Sequence, residues 1–247
     1  MTGALRFAFV SSSAGSIMDK TLDNQLVRGL THSVVCDRVC AAMERAREHG
    51  VPVEVIPEVE ADAFSERLLT YLGRHRIDYV FSFYTAFYSP ALRDAYRDRI
   101  FNFHPSLLPA FKGMDGFGDG LQYGVKILGS TVELIDRVMD EGKIVMQTLF
   151  ARDEAASAAR LRHRLFVQQC QSLLQVARWL ADGRLRVEGR HVLVDGAQFG
   201  DPEFSPALDW EEAARWTTPF PGAEALAAFG LASHPARPPQ GLSRPRQ

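Results

Sequence analysis

Cysteine is scarce: Cys36, Cys40 and Cys170 are the three in 247 residues. An odd number cannot all pair within one chain, and a chain this long needs no disulfide framework, so a reducing compartment is expected. Cys36 and Cys40 stand four apart, but no second Cys or His pair follows at ligand spacing, so packed thiols and no metal site are expected. Charge of one sign is also lacking. The net charge is -2 and the arginines are interspersed with Asp and Glu, so nothing draws the chain to nucleic acid. No apolar run approaches the ~20 residues of a membrane helix. Met1 to Val10 gives way to Ser and Gly before any long apolar stretch develops, so no leader is expected and the protein should be cytoplasmic, away from the membrane. Ser11 to Ser16 lacks the Gly-x-Gly-x-x-Gly spacing of a dinucleotide site, and no Gly-Lys-Ser/Thr phosphate loop occurs, which argues against a dehydrogenase and a kinase. No internal repeat is evident.

What is present is an alternation of apolar strands and helices. Leu5–Val10 reads as a buried strand and ends in small residues that open a helix-like segment. Ser33–Cys36 reads as a second strand. Asp37 is placed to cap a helix over Arg38–His49, which Gly50 stops. Val53–Ile56, Asp78–Phe83 and Ile100–Phe103 continue the strands, with a helix over 61–74 between the first two. This order predicts an α/β protein: a mostly parallel, twisted sheet with helices on both faces. After His104 the pattern changes to a loop from Pro105 to about Gly116, a short helix near Asp119–Tyr123, and strands over Ile127–Ile135 and Ile144–Arg152. A long helix over 155–180 and a hairpin, Leu185–Val187 with His191–Val194, follow. The expected division is a domain over 1–195 and an extension over 196–247. The aromatics of the extension predict packing on the domain and over the site, with the Pro- and Arg-rich stretch from Pro235 mobile.

The chemistry concentrates in Phe101 to Gln147. Asn102 and His104 lie two apart on one strand, so both side chains leave the strand on the same face. Strand carboxyl ends are where open α/β sheets bind ligands. Imidazole exchanges protons near neutral pH, and a primary amide donates to an oxygen that gains negative charge. Asp140, in a Val-Met-Asp-Glu-Gly turn between two strands, adds a carboxylate, with Asp136 a competing candidate. Taken singly, Asn-x-His also fits a polar strand end, and an Asp before Gly is ordinary in a turn.

Asn102-Phe103-His104-Pro105-Ser106-Leu107-Leu108-Pro109, followed by Asp140-Glu141-Gly142, resembles the 10-formyltetrahydrofolate-dependent formyltransferases, those acting on glycinamide ribonucleotide most closely. Val34–Ile56, Tyr88-Ser89-Pro90, Leu107–Gly113 and Ala181–Leu185 carry the same likeness, which spans residues 5–195. The resemblance implies a Rossmann-like formyltransferase fold and 10-formyltetrahydrofolate as co-substrate, without a metal. It implies that an amine attacks the formyl carbon, that Asn102 and protonated His104 stabilise the oxyanion, and that Asp140 carries the proton. It also implies a pterin cleft built from Phe83–Tyr88 and Ile135–Gly142, with Phe83, Tyr84, Phe87, Tyr88, Ile135, Asp136 and Glu141 as candidate contacts. Core packing is the competing role for the aromatics.

The departures fall where those relatives hold the acceptor. Gly15-Ser16 is followed by Ile17 in place of Asn. The Gln position of the long helix falls on Phe166, and the Glu-His pair on Gln169 and Cys170. Asp115 and Phe117 occupy a loop that carries histidines in the family, and near Ala86 an arginine is missing. Such changes weaken recognition of a phosphosugar. They predict a small-molecule acceptor amine, hydroxylamine or hydrazine other than glycinamide ribonucleotide, with Gly15, Ser16, Ile17, Asp115, Phe117, Phe166 and Gln169 shaping the pocket. Competing readings are a glycinamide ribonucleotide formyltransferase, a formyltetrahydrofolate hydrolase lacking the usual N-terminal regulatory domain, and a non-catalytic folate-binding protein. A monomer or a homodimer is expected.

Overall fold

The computed structural model describes residues 5–58 and 60–221. The fold grows outward from β1 (Phe7–Ser11), every residue of which is buried. Phe7 and Phe9 enter one apolar cluster and Ala8 and Val10 another, on the opposite face. A strand covered on both faces reads as a continuous apolar run, which is why Phe-Ala-Phe-Val shows no alternation. β2 (Thr31–Cys36) and β3 (Val53–Val55) extend the sheet on one side, and β4 (Tyr79–Phe83) and β5 (Ile100–His104) on the other, all parallel. β6 (Ile127–Leu134) and β7 (Lys143–Ala151) then run antiparallel. A two-residue β10 (Phe204–Ser205) closes that edge, giving the order β10-β7-β6-β5-β4-β1-β2-β3. β8 (Leu185–Glu188) and β9 (His191–Val194) form a separate hairpin. The mostly parallel sheet with helices on both faces agrees with the sequence reading.

The helices are α1 (Ser16–Leu22), α2 (Gln25–Leu30), α3 (Ala41–Glu48), α4 (Ala61–Arg74), α5 (Pro90–Ala95), α6 (Gly116–Tyr123), α7 (Ala158–Ala181) and α8 (Glu211–Arg215). α7 packs its Leu173, Leu174, Ala177 and Trp179 into the cluster that holds Phe101 and Phe103. α4 and α5 cover the other face through Phe64, Leu68 and Leu92. Burying a Leu or Phe side chain contributes roughly 1.5–3 kcal/mol, so these two faces supply much of the driving force for folding.

Several boundaries differ from the sequence reading. Asp37 does not cap the third helix: α3 starts at Ala41 behind Cys40, and Asp37 binds the neighbouring Arg38 at 2.6 Å. The segment after β1 is two helices, the second capped by Asn24, whose side chain accepts from the Leu26 and Val27 amides. α6 begins earlier than expected because Asp115 caps it, accepting from Gly118 N at 3.1 Å. α7 starts at Ala158 because Ser157 caps it. α5, headed by Pro90 behind the Ser89 cap, was not anticipated.

Residues 196–221 meet α7 and Arg184 just beyond it through a dense polar junction. Asp209 accepts from Gln175 Nε2 (2.7 Å), Trp179 Nε1 (3.1 Å) and Arg184 Nη2 (2.7 Å), and Gln175 Oε1 accepts the Asp209 and Trp210 amides. The described part of the extension lies along β7 and α7 and lines no part of the cleft described below, contrary to the expected cover over the site. The stretch from Pro235 lies outside the described residues. No described helix is long and apolar enough to cross a membrane.

Candidate active site

β5 ends at the middle of the sheet, where the parallel strands give way to the antiparallel pair. Its alternation sends Phe101 and Phe103 toward α7 and turns Asn102 and His104 to the other face. There a cleft opens at the strand ends. Asn102, His104 and Asp140 all line it, together with Ser82, the 84–87 loop, Glu133, Ile135 and the 138–139 turn.

His104 is held from two sides. Its Nδ1 lies 3.3 Å from Asp140 Oδ1, and its Nε2 lies 2.8 Å from the Phe111 carbonyl. Both ring nitrogens face oxygen acceptors, and only a doubly protonated imidazole donates to both. Asp140 has a φ of 56° and Phe111 a φ of 54°. Aspartate tolerates this left-handed region and a bulky Phe rarely adopts it, so the turn that aims the Phe111 carbonyl at the imidazole is an uncommon one. Asp140 Oδ2 accepts from Gly113 N at 2.7 Å, which ties the post-proline loop to the second turn.

Asn102 has a partner that sequence reasoning missed. Its Nδ2 donates to Glu133 Oε1 at 3.0 Å, and Glu133 Oε2 accepts from Gly142 N at 2.8 Å. Register explains the meeting, because Asn102 pairs with Glu133 and His104 with Thr131 across β5 and β6. Burial raises the Glu133 carboxyl above the usual range, against the lowering effect of its two hydrogen bonds. The available signal was a lone acid inside the apolar run Gly129–Ile135. Arg93 was missed too. Its guanidinium lies 4.4 Å from the Phe87 ring centroid and donates to the Tyr88 and Asp136 carbonyls, so it joins the two lips of the cleft.

The expected pterin contacts divide. Tyr84, Phe87 and Ile135 line the cleft, Tyr84 being stacked between Phe64 and Tyr88. Phe83 instead packs between Phe9 and Phe103. Tyr88 is buried in the core with its hydroxyl 2.8 Å from Ser82 Oγ. Asp136 folds back on the Arg137 amide, and Glu141 pairs with Lys112 at 2.6 Å. Neither Asp136 nor Glu141 lines the cleft. Met114, Val138 and Met139 form an apolar rim that is 70%, 54% and 40% exposed; exposed apolar side chains grouped around a polar centre mark a binding surface.

The seven expected acceptor contacts do not line this cleft. Gly15 caps α1 with a φ of 65°, and a Cβ there would sit 2.7 Å from Ala42 Cβ. Ser16 Oγ accepts from Arg45 at 2.9 Å, and Ile17 packs against the core. Asp115 is engaged as the cap of α6. Phe117 is buried with Leu128, Phe150 and Leu165. Phe166 is buried and meets Trp216 edge-on. Both rings are thus packed against neighbours, outside the cleft. Gln169 is buried, with its Nε2 3.4 Å from the Phe103 carbonyl.

Comparison with known proteins bears on this geometry. The family described as Formyl transferase matches residues 5–177, which includes every residue of the trio. The chain belongs to the formyl transferase family. Among relatives of this formyl transferase is the phosphoribosylglycinamide formyltransferase of Mycobacterium tuberculosis, 31% identical over 75% of this chain and 89% of the relative. The enzyme of that name from Bacillus subtilis is 32% identical over 53% of this chain and 70% of its own length. The crystal structure of glycinamide ribonucleotide transformylase 1 from Symbiobacterium toebii superposes with a TM-score of 0.72 at 30% identity, covering 78% of this chain and 95% of that one. A formyltetrahydrofolate deformylase from Pseudomonas syringae shares the fold at 18% identity and a TM-score of 0.69, over 78% of this chain and 66% of the other. The chain is thus a Rossmann-like formyltransferase, an enzyme family that handles formyl groups carried on folate.

Proposed function

We propose that the protein transfers the formyl group of 10-formyltetrahydrofolate to the primary amine of glycinamide ribonucleotide, with Asn102, His104 and Asp140 at the reacting centre. The observation that carries this is the convergence of the three side chains in one cleft at the strand ends of a formyl transferase domain. The cleft suits a flat donor: Tyr84, Phe87, Ile135 and the exposed Met and Val rim offer apolar faces, and the reacting polar groups lie at its inner end.

In this reading the amine nitrogen bonds to the formyl carbon, whose carbonyl electrons move onto oxygen. Asn102 donates one amide hydrogen to Glu133, which leaves the second for that oxyanion. The imidazolium of His104, set between Asp140 and the Phe111 carbonyl, places positive charge beside it. The carbon–nitrogen bond to the folate then breaks, and the amine proton passes through Asp140, or a water it orients, to the departing nitrogen. The products are the formylated amine and tetrahydrofolate.

The names of the relatives support the ribotide as acceptor more than they support the different amine that the sequence suggests. The second reading, another amine, is favoured by Ile17, Phe166 and Cys170, which place apolar groups where a ribotide needs polar ones. One experiment separates them: purified protein with 10-formyltetrahydrofolate and glycinamide ribonucleotide, followed by the release of tetrahydrofolate. Turnover that His104→Ala abolishes supports the ribotide. Absence of turnover with an intact fold and bound donor supports the other amine.

A further inference from the structure

Arg162 stands on α7, which covers the sheet face opposite the cleft, and the trio does not use it. One turn along the same helix face comes Phe166, and two turns along come Gln169 and Cys170. Protein surrounds Arg162 closely enough that burial holds its guanidinium below the usual arginine range, yet the residue keeps a path to solvent, being only half-buried. Its partners are few. Nη1 donates to Gln169 Oε1 at 3.2 Å, and the guanidinium lies 5.6 Å from the Phe117 ring centroid. Asp115 attracts it from beyond ion-pair distance, and no carboxylate among the described residues pairs with it. A guanidinium has five N–H donors in a fork shaped for carboxylate or phosphate. The N–H groups that Gln169 leaves unbonded are open to solvent, so an anion arriving from that side meets an unoccupied fork whose orientation is already set.

Its position ties it to the reaction. Gln169, which binds Arg162, also donates to the Phe103 carbonyl, between Asn102 and His104. Phe117, beneath the guanidinium, follows Gly116, where an added Cβ would lie 2.8 Å from His104 Nε2. Arg162 is therefore two residues removed from the trio by each of two routes. It approaches from the α7 side of β5, opposite the cleft that suits the donor.

We propose that Arg162, oriented by Gln169 and backed by Phe117, is the seat for an anionic group, a phosphate or a carboxylate, on the acceptor amine. This rests on the formyl-transfer reading and adds the residue that selects the acceptor's charge. It also offers a cation on the acceptor side of a chain that carries Ile17 and Phe166 where relatives offer polar groups.

The test uses the full-length protein and Arg162→Met, which keeps length and removes the fork, with Arg162→Lys as a second variant. Melting temperature is measured in chloride and, at equal ionic strength, in inorganic phosphate or acetate. The wild type should be stabilised by phosphate or acetate beyond chloride, the better anion indicating the class of group; Arg162→Met should lose that increment and, without the anion, melt no lower than wild type. The ratio of KM for the riboside to KM for glycinamide ribonucleotide should collapse by about tenfold to a hundredfold in Arg162→Met and recover in part in Arg162→Lys, as for loss of a charge-assisted hydrogen bond. An anion increment equal in both proteins, or an Arg162→Met protein that melts several degrees lower and keeps the KM ratio, would overturn the proposal. No turnover of the ribotide, with an Arg162-dependent anion increment, removes the acceptor reading and leaves the seat. Turnover with a ratio that ignores Arg162 removes the seat and leaves the function.

Discussion

The Glu133 carboxylate accepts the Asn102 amide at 3.0 Å across the β5–β6 ladder, and this contact decides which end of the amide faces the cleft. With Glu133 as acceptor, the NH2 group of Asn102 is fixed and its second hydrogen is free. Glu133→Gln places an amide where both neighbours, Asn102 Nδ2 and Gly142 N, are donors. The expected outcome is a fall in kcat of about 10- to 100-fold with little change in donor KM, read by steady-state kinetics.

The same carboxylate makes stability depend on pH. Burial raises its pKa above the ordinary glutamate value of 4.5, so the folded state holds the proton more tightly than the unfolded chain. The contribution of this group to stability is therefore greatest below 4.5, falls as pH rises through the elevated folded value, and is level above it. Glu133→Gln lacks that fall. Denaturant titrations across this window should show the difference between the two proteins moving in favour of the variant as pH rises. A difference independent of pH would contradict the assigned burial.

Asn102→Ala removes the proposed oxyanion donor and should lower kcat by about 10²–10³, with a melting temperature within a few degrees of wild type. An equal loss in donor binding, measured by equilibrium titration with a folate analogue, would instead assign Asn102 to ground-state binding.

His104 and Asp140, 3.3 Å apart, should behave as one unit. His104→Ala and Asp140→Asn should each cost about 10²–10⁴ in kcat, and the double variant should lose far less than the product of the two, because coupled residues are not additive. Fully multiplicative losses would mean the two act independently.

Gly116 offers a test of positioning without touching a polar group. A Cβ there would meet the Phe111 carbonyl at 2.6 Å and His104 Nε2 at 2.8 Å. Gly116→Ala should lower kcat by tenfold or more, since a displacement of about 1 Å at a reacting group can cost 10²-fold. Gly29, in α2 with open space around it, is the control. Gly29→Ala should leave kcat unchanged and stabilise the fold by about 0.5–1 kcal/mol.

The parallel half of the fold was legible because its strands are buried on both faces and its helices repeat at helical spacing. Phe-Ala-Phe-Val and the 61–74 helix speak for themselves. The pairing of Asn102 with His104 was legible because the two share a strand, so backbone alternation alone brings them together. Their supporting residues were not. Glu133 meets Asn102 only through antiparallel register, and Arg93 reaches the Asp136 carbonyl across 43 residues of chain. Spacing carries no information about such meetings. Four aromatics lie outside the cleft, and one cause hid this: Phe83, Tyr88, Phe117 and Phe166 are apolar beside a functional segment, and pattern does not separate a cleft wall from the packing behind it. Asp37 shows the same limit for polar residues, since its Oδ2 pairs with Arg38 in place of a helix end.

The central claim is that a formyl group moves from folate to an amine at Asn102, His104 and Asp140. The most direct measurement follows a ¹³C-labelled formyl group of 10-formyltetrahydrofolate in a single turnover with glycinamide ribonucleotide, by NMR or mass spectrometry. The account predicts that the label appears on the amine as a formamide, and that His104→Ala stops its transfer without unfolding the protein. Label recovered only as formate, or transfer that survives in His104→Ala at the wild-type rate, would contradict it.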